Sequence, residues 1–233
     1  MSDILCTICA RGGSKGVKNK NIRKINGKPL ISYTIEQAKK SELFEYIVVS
    51  TDSDEIATIA QKFGAEVFFK RPAELANDSS GKLPAIRHAL LESEEHYGKI
   101  FNSIIDLDAT APIRKTDDIV NAYNLFVNGD FENLITAVNA RKSPYFNQIE
   151  LDGDGKISLS KTPKKPILRR QDSPKIYDMN ASIYIWKREA LLNSNLIIND
   201  KTGMYIMDEK STFDVDTEID FKIVEMLIKE LNV

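Results

Sequence analysis

The 233-residue chain is 42% hydrophobic and 28% charged, enough apolar material for one domain with a substantial core. Its formal net charge of -2 and isoelectric point near 5.8 exclude a surface built throughout for nucleic acid, so any anion recognition must be local. No apolar run approaches the roughly 20 residues that span a bilayer, and Met1-Ser2-Asp3 lacks the basic start of a secretory signal, so a cytoplasmic protein with no membrane partner is expected.

Strand and helix patterns alternate from the start, which predicts a mostly parallel sheet with helices on both faces. Ile4-Leu5-Cys6-Thr7-Ile8 reads as a buried first strand. It empties into Cys9 to Asn21, a loop with three glycines, Ser14 and the cations Arg11, Lys15, Lys18 and Lys20. Such a loop can bring backbone N–H groups and positive charge to one point, which is what a polyphosphate needs. Cys6 and Cys9 are the only cysteines. Positions three apart on a strand face opposite sides, and only His88 and His96 could complete a metal site, so two core thiols in a reducing compartment are expected. The two histidines read as surface or core residues.

A helix is predicted over 29–38 with Pro29 in its first turn, then a β-branched strand over 46–51. Ser53 and Asp54 cap a helix closed by Gly64, and 66–69 reads as a short third strand. The polar segment 70–82 exceeds the roughly 4 to 6 residues of an ordinary connection, which marks it as functional. A helix over 83–97 and a strand over 101–107 follow. That strand delivers Asp106 and Asp108, two carboxylates at a spacing that shares one face of a strand. They can serve as metal ligands, or one of them can cap the next turn.

A helix over 117–127 stops at Gly129, and 133–139 is another strand. Between 141 and 178 the character changes: Asp152-Gly153-Asp154-Gly155 marks a hairpin, and the basic run Lys161, Lys164, Lys165, Arg169 and Arg170 has little apolar periodicity. This stretch reads as an arm or lid inserted into one domain spanning 1–233. A strand over 180–186, a short helix over 187–192 and a strand over 204–207 come next. Asp214 and Asp216 then lie at the mouth of a final helix over 219–231, with Thr217 its cap.

The glycine loop satisfies neither G-x-x-x-x-G-K-[ST] nor G-x-G-x-x-G, which disfavours a P-loop ATPase and a nicotinamide enzyme. From Ala10 through Asn21 it resembles the A-R-x-x-S-K-G-x-x-x-K-N signature of the acylneuraminate cytidylyltransferases, the CMP-sialic acid synthetases. The resemblance continues, in order, at Arg71-Pro72-Ala73-Glu74-Leu75-Ala76, Thr110-Ala111-Pro112-Ile113-Arg114, Asn180-Ala181-Ser182-Ile183-Tyr184 and Asp214-Val215-Asp216-Thr217-Glu218.

That resemblance implies a three-layer α/β fold of the nucleotide-diphospho-sugar transferase type, and transfer of CMP from CTP to the anomeric hydroxyl of an acidic nine-carbon sugar with release of pyrophosphate. It implies catalytic roles for Arg11, Lys20 and Asp216, and nucleotide binding by Arg11, Gly12, Gly13, Ser14, Lys15, Asn21, Arg71 and Lys82. Asp214 and Asp216 would hold Mg²⁺ or Mn²⁺, and a homodimer would form through the inserted arm.

Asp108, Asn180 and Ser182 fall where the sugar would bind. There the chain departs from the sialic acid pattern: Asp108-Ala109-Thr110-Ala111-Pro112-Ile113-Arg114 replaces Gln-Pro-Thr-Ser-Pro-Leu-Arg, and Asp178-Met179-Asn180-Ala181 replaces Arg-Pro-Asn-Gly. The nucleotide half is intact and the sugar half is altered, which points to legionaminic acid in place of N-acetylneuraminic acid. The alternatives are a 3-deoxy-manno-octulosonate cytidylyltransferase and a glycosyltransferase using Asp106 and Asp108 as its metal motif.

Overall fold

The computed structural model describes residues 3–231 except 78, 164, 166 and 168, so Lys164 of the basic run lies outside the described residues. In chain order the elements are β1 (Ile4–Cys9), the hairpin of β2 (Lys24–Ile25) and β3 (Lys28–Pro29), α1 (Leu30–Lys40), β4 (Tyr46–Ser50), α2 (Asp54–Lys62), α3 (Lys82–Tyr97) and β5 (Ser103–Leu107). They continue with α4 (Thr116–Asn128), β6 (Asn133–Asn139), the hairpin of β7 (Ile149–Leu151) and β8 (Ile157–Leu159), β9 (Tyr177–Lys187), α5 (Arg188–Asn193), β10 (Thr202–Ile206) and α6 (Glu218–Leu231).

One six-stranded sheet runs in the order β10-β6-β9-β5-β1-β4. Five strands point the same way, and β9 alone runs against its neighbours β5 and β6. The sheet is covered on both faces, so its central strands are apolar in both directions rather than alternating with polar residues. Ile4, Cys6 and Ile8 of β1 face α1, α2 and α4 through Ile31, Ile35, Ile56, Ala60, Ile119 and Phe126. Leu5 of the same strand turns to the other side, where Leu83, Ile86 and Leu90 of α3 and Leu191 of α5 pack. A third cluster joins Ile25, Leu30, Tyr33 and Ile113 to Val17, Val215 and the α6 residues Phe221, Val224 and Ile228. It holds the loops at the sheet's upper edge against one another.

The caps form as the sequence requires. Ser53 Oγ accepts from the Ile56 N–H at 3.4 Å, and the chain leaves α2 through Gly64 at φ +91°. Thr217 Oγ1 accepts from the Asp220 N–H while the Asp220 carboxylate accepts from the Thr217 N–H, a reciprocal box at the start of α6.

Several predicted elements differ in type or bounds; β5 starts at Ser103 and β10 at Thr202. Segment 66–69 is not a strand: only Glu66 bridges to Val48, after which Phe68 stacks on His96 and Phe69 meets His88 edge-on. Its aromatic side chains serve packing at the flank of α3, not a strand ladder. Pro29 ends β3, and α1 begins only at Leu30. The strand expected over 180–186 starts three residues earlier, where Tyr177, Asp178 and Met179 pair with β6 across a register shift. Asp152 to Gly155 does turn a hairpin, with Gly155 at φ +79°.

Candidate active site

The C-terminal ends of β1, β4, β5 and β10 lie along one edge of the sheet, where open α/β folds bind ligands. The glycine loop follows β1, Asp52 follows β4, Asp108 follows β5, and the segment carrying Asp214 and Asp216 follows β10. Arg11, Arg71, Asn77, Ser80, Lys82 and Asp108 line a cleft of about 240 Å³ at this edge. Three cations against one carboxylate make it a place for an anion.

The glycine loop is shaped from both sides. Gly12 N–H donates to Asp52 Oδ1 at 2.8 Å, and Asn21 Nδ2 donates to the Arg11 carbonyl at 3.0 Å. Asn21 is buried, so it braces the loop from within. The Gly12 N–H is already used, which leaves the following backbone groups to meet a phosphate. Gly13 has open space around it, Ser14 is half-buried, and Lys15 is exposed.

Farther along, Gly16 is where the loop meets the acidic segment: a methyl group on Gly16 would overlap the backbone carbonyl oxygen of Asp216. Lys20 Nζ sits 2.9 Å from Asp216 Oδ1, and Arg23 grips both oxygens of Glu218 at 2.6 and 2.7 Å. Gly16→Ala is therefore expected to push the acidic segment away from the basic loop. A drop in kcat/KM of about 10²-fold, as follows from a misplacement near 1 Å, with a far smaller loss in Tm would report this displacement.

Beside the cleft, Lys82 Nζ lies 2.7 Å from Asp108 Oδ2 and 3.1 Å from Asp106 Oδ2, with the Tyr184 ring 4.6 Å below it. Asp108 Oδ1 also accepts from the N–H and hydroxyl of Thr110 at 2.8 and 2.7 Å. Burial alone would raise the Asp108 pKa, but the Lys82 ammonium and the bonds from Lys82 and Thr110 outweigh it and hold the carboxyl below its usual range. Burial likewise opposes the Lys82 charge, and Asp108, Asp106 and Tyr184 reverse that, leaving its pKa raised. Asp106 is wholly buried and accepts from the Thr7 hydroxyl at 2.9 Å. Both carboxylates thus pair with Lys82.

Asp214 is different. It is half-buried and has no ion-pair partner among the described residues. Burial, then the neighbouring Asp216 and Asp108 charges, push its pKa up to about 6 against a backbone hydrogen bond and the Lys20 charge. Among the described residues Asp214 is unpaired and Asp216 pairs only with Lys20, so together they offer hard oxygen donors that fit a divalent cation such as Mg²⁺.

Other site residues expected from sequence do not face the cleft. Ser182 is fully buried, and its carbonyl and hydroxyl accept from the Arg114 guanidinium. Asn180 donates to the Ser211 carbonyl at 2.9 Å and accepts from the Thr136 hydroxyl at 2.8 Å. Both therefore lie beneath this edge of the sheet and offer little surface to a ligand. Arg71 is also mostly buried, held by Ser50 through its Nε at 3.0 Å, yet it remains part of the cleft wall. Asp52 and Arg23 shape this edge although no motif marks them, because their partners Gly12 and Glu218 lie 40 and 195 positions away.

Cys6 and Cys9 are free thiols, and burial, with the Asp106 charge second, pushes both up and keeps them protonated. No group of three or more metal-binding side chains occurs among the described residues. No helix among them is long and apolar enough to cross a membrane.

A sheet of this order with a cationic glycine loop facing an acidic helix mouth defines a nucleotide-using α/β transferase. The family described as cytidylyltransferase matches residues 5–233, and the chain belongs to that family. It is 59% identical over 232 residues to post-translational flagellin modification protein B of Campylobacter coli, covering 100% of this chain and 97% of that one. It is 58% identical over 232 residues, with the same coverage, to CMP-N,N'-diacetyllegionaminic acid synthase of Campylobacter jejuni. The solved structure of CMP:2-keto-3-deoxy-manno-octonic acid synthetase complexed with CTP shares the fold at a TM-score of 0.70, covering 98% of this chain and 99% of that one at 18% identity. The five motifs in register thus carried a true family likeness, and the chain is a nucleotidyltransferase enzyme.

Proposed function

We propose that the enzyme transfers CMP from CTP to the anomeric hydroxyl of N,N'-diacetyllegionaminic acid. The observation that carries the sugar assignment is the 58% identity, end to end, with a protein of that named activity. In the reaction the anomeric oxygen bonds to the α-phosphorus as the bond to the β-phosphate oxygen breaks. Pyrophosphate leaves, and the hydroxyl proton is lost.

Such a transfer needs positioning and charge neutralisation above all. Arg11, Lys15 and Lys20 would neutralise the triphosphate, with the open backbone around Gly13 allowing close approach. Arg71 and Lys82 extend the positive wall beside it. Asp108, held by Lys82 and Thr110, presents a fixed carboxylate on the sugar side, where its oxygens can accept from hydroxyl or amide groups. Asp214 and Asp216 would hold Mg²⁺, which would supply positive charge to neutralise the triphosphate.

Ile149, Leu151 and Ile157 stand exposed on the β7-β8 hairpin, and an isolated two-stranded hairpin is marginal on its own. That supports the arm docking on a second copy in a homodimer, which light scattering after gel filtration measures directly. The free thiols suit the reducing cytoplasm.

Pyrophosphate release from CTP, measured with N,N'-diacetyllegionaminic, N-acetylneuraminic and pseudaminic acids, tests the sugar. The highest kcat/KM is expected for the first, with activity abolished by EDTA and restored by Mg²⁺. A preference for N-acetylneuraminic acid would overturn the assignment of the sugar, and EDTA-resistant turnover that of the metal.

A further inference from the structure

Strand β9 leaves its ladder with β6 at one place. Ile135 pairs with Tyr184 and Ala137 with Met179, so Thr136 alone stands opposite Asn180, Ala181, Ser182 and Ile183. The excess chain forms a bulge, and Ala181 within it takes φ +51°, a conformation unfavourable to any residue with a β-carbon. Bulges gather beside active sites, where they re-aim a side chain. Strain of this kind persists only where its surroundings over-determine it.

The side chain re-aimed here is that of Asn180. Thr136 has no exposed surface; its hydroxyl donates to Asn180 Oδ1 at 2.8 Å and accepts from the Ile183 N–H at 3.1 Å. That bond fixes which way the amide faces. Its Oδ1 is taken, and its Nδ2 donates to the Ser211 carbonyl at 2.9 Å, with Met207 Sδ at 3.2 Å. Thr136, Asn180, Met207 and Ser211 are all buried, so water does not stand ready to replace a lost bond. A relay thus runs from β6, across the bulge, to the turn that precedes Asp214.

The segment carrying Asp214 and Asp216 is fastened along its length. At its start the Met207 N–H donates to the Ala137 carbonyl at 2.8 Å, and near its end the Val215 N–H donates to the Thr110 carbonyl at 2.9 Å. Between them the Ser211 N–H closes a turn onto the Asp208 carbonyl at 2.9 Å, and Asn180 holds the Ser211 carbonyl. Asp214 therefore lies between the Ser211 and Val215 attachments, and its placement depends on both.

We propose that Thr136 and Asn180 are positioning residues which, acting through the Ser211 carbonyl, set where Asp214 stands beside Asp216. The consequence for cation binding rests on the reading of those two aspartates as its ligands. Hydrogen-bonded supports behind metal ligands are worth about 10- to 100-fold in metal affinity or activity.

Hydrogen–deuterium exchange in the metal-free enzyme, followed by mass spectrometry over 208–216, reads the placement with no cation or turnover involved. Thr136→Val removes the hydroxyl at nearly constant volume, and Asn180→Ala removes the amide. Both should speed exchange over 208–216 by about tenfold or more through local opening, whereas Thr136→Ser keeps the hydroxyl and should stay within about threefold of wild type. Initial rates against MgCl₂ should show the half-saturating Mg²⁺ concentration raised about 10- to 100-fold in the first two variants, with the KM for the acceptor acid within about threefold. Leu90→Ala, which empties core on the α3 face of the sheet, should lower Tm and change neither readout. The proposal is overturned if exchange over 208–216 is unchanged in Thr136→Val and Asn180→Ala, or if Thr136→Ser or Leu90→Ala loosens the segment equally. It is also overturned if the KM for the acid rises while the Mg²⁺ requirement stays put, the mark of a direct sugar contact. Faster exchange with EDTA-resistant turnover would keep the placement and overturn the cation reading alone.

Discussion

Asp216→Asn is expected to lower kcat/KM for CTP by about 10² to 10³-fold while moving Tm by no more than about 4 °C. The two readouts separate because of where the residue sits. The Asp216 side chain is 70% exposed, so its ion pair with Lys20 is a surface pair worth about 0 to 1 kcal/mol to folding. Its charge faces Asp214 across the mouth of α6, and the asparagine keeps the shape while removing that charge. One of two proposed cation ligands is then neutral, and Lys20 loses the carboxylate that orients it. Initial rates of pyrophosphate release against CTP and MgCl₂ should show a raised Mg²⁺ requirement together with the lower rate. Activity within about threefold of wild type would reduce Asp216 to a helix-terminal charge, a role worth only about 0.3 to 1 kcal/mol.

Lys82→Met should act on stability first. Lys82 lies between two carboxylates, one of them without solvent exposure, and its removal leaves Asp106 buried without a cation. Breaking a buried pair from one side costs about 3 to 5 kcal/mol. At about 2 to 4 °C per kcal/mol for a chain of this size, Tm should fall by roughly 6 to 20 °C.

The penalty should also depend on pH. The folded pKa of Asp108 lies below its unfolded value near 3.9, so its contribution is present above that value and is lost as pH falls through the lowered one. The folded pKa of Lys82 lies above its unfolded value near 10.4, so its contribution is complete below that value and is lost as pH rises through the raised one. Between about pH 5 and 9 the urea-derived stability gap between variant and wild type should stay flat, and it should narrow in acid. A gap below about 1 kcal/mol at pH 7 would show that solvent, not Lys82, compensates these carboxylates.

The parts that were readable in the sequence are those fixed by neighbours in the chain. Ser53 and Thr217 cap helices because their hydroxyls need to reach only three residues ahead. Asp152 to Gly155 turns because glycine accepts a positive φ there. The same logic could have found the β2-β3 hairpin: Asn26-Gly27, at φ +48° and +84°, is the strongest short hairpin signal, though only two residues flank it on each side. The basic loop and the acidic helix mouth were each visible as motifs.

Their junction was not visible, because the meeting of Gly16 with Asp216 depends on how α6 packs against Ile25, Leu30 and Val17. Nor could spacing alone show that Asp106 and Asp108 are occupied by Lys82, which comes from the start of α3 on the other side of β5. Segment 66–69 misled for a related reason: aromatic residues suit a strand, and here a neighbouring helix supplied a better use for them.

The reversed strand β9 also constrains the order in which this molecule can assemble. Strands β6 and β10 bond to each other, and their only link to β5, β1 and β4 is β9, which follows the entire arm in sequence. During synthesis, β4, β1 and β5 can join early, whereas β6 must wait some 40 residues for the strand that attaches it to the rest. Until residue 187 has emerged, β6 has neither of its partner strands, since β9 and β10 both come later, and the arm between β6 and β9 is the loop that must close before β6 joins the sheet.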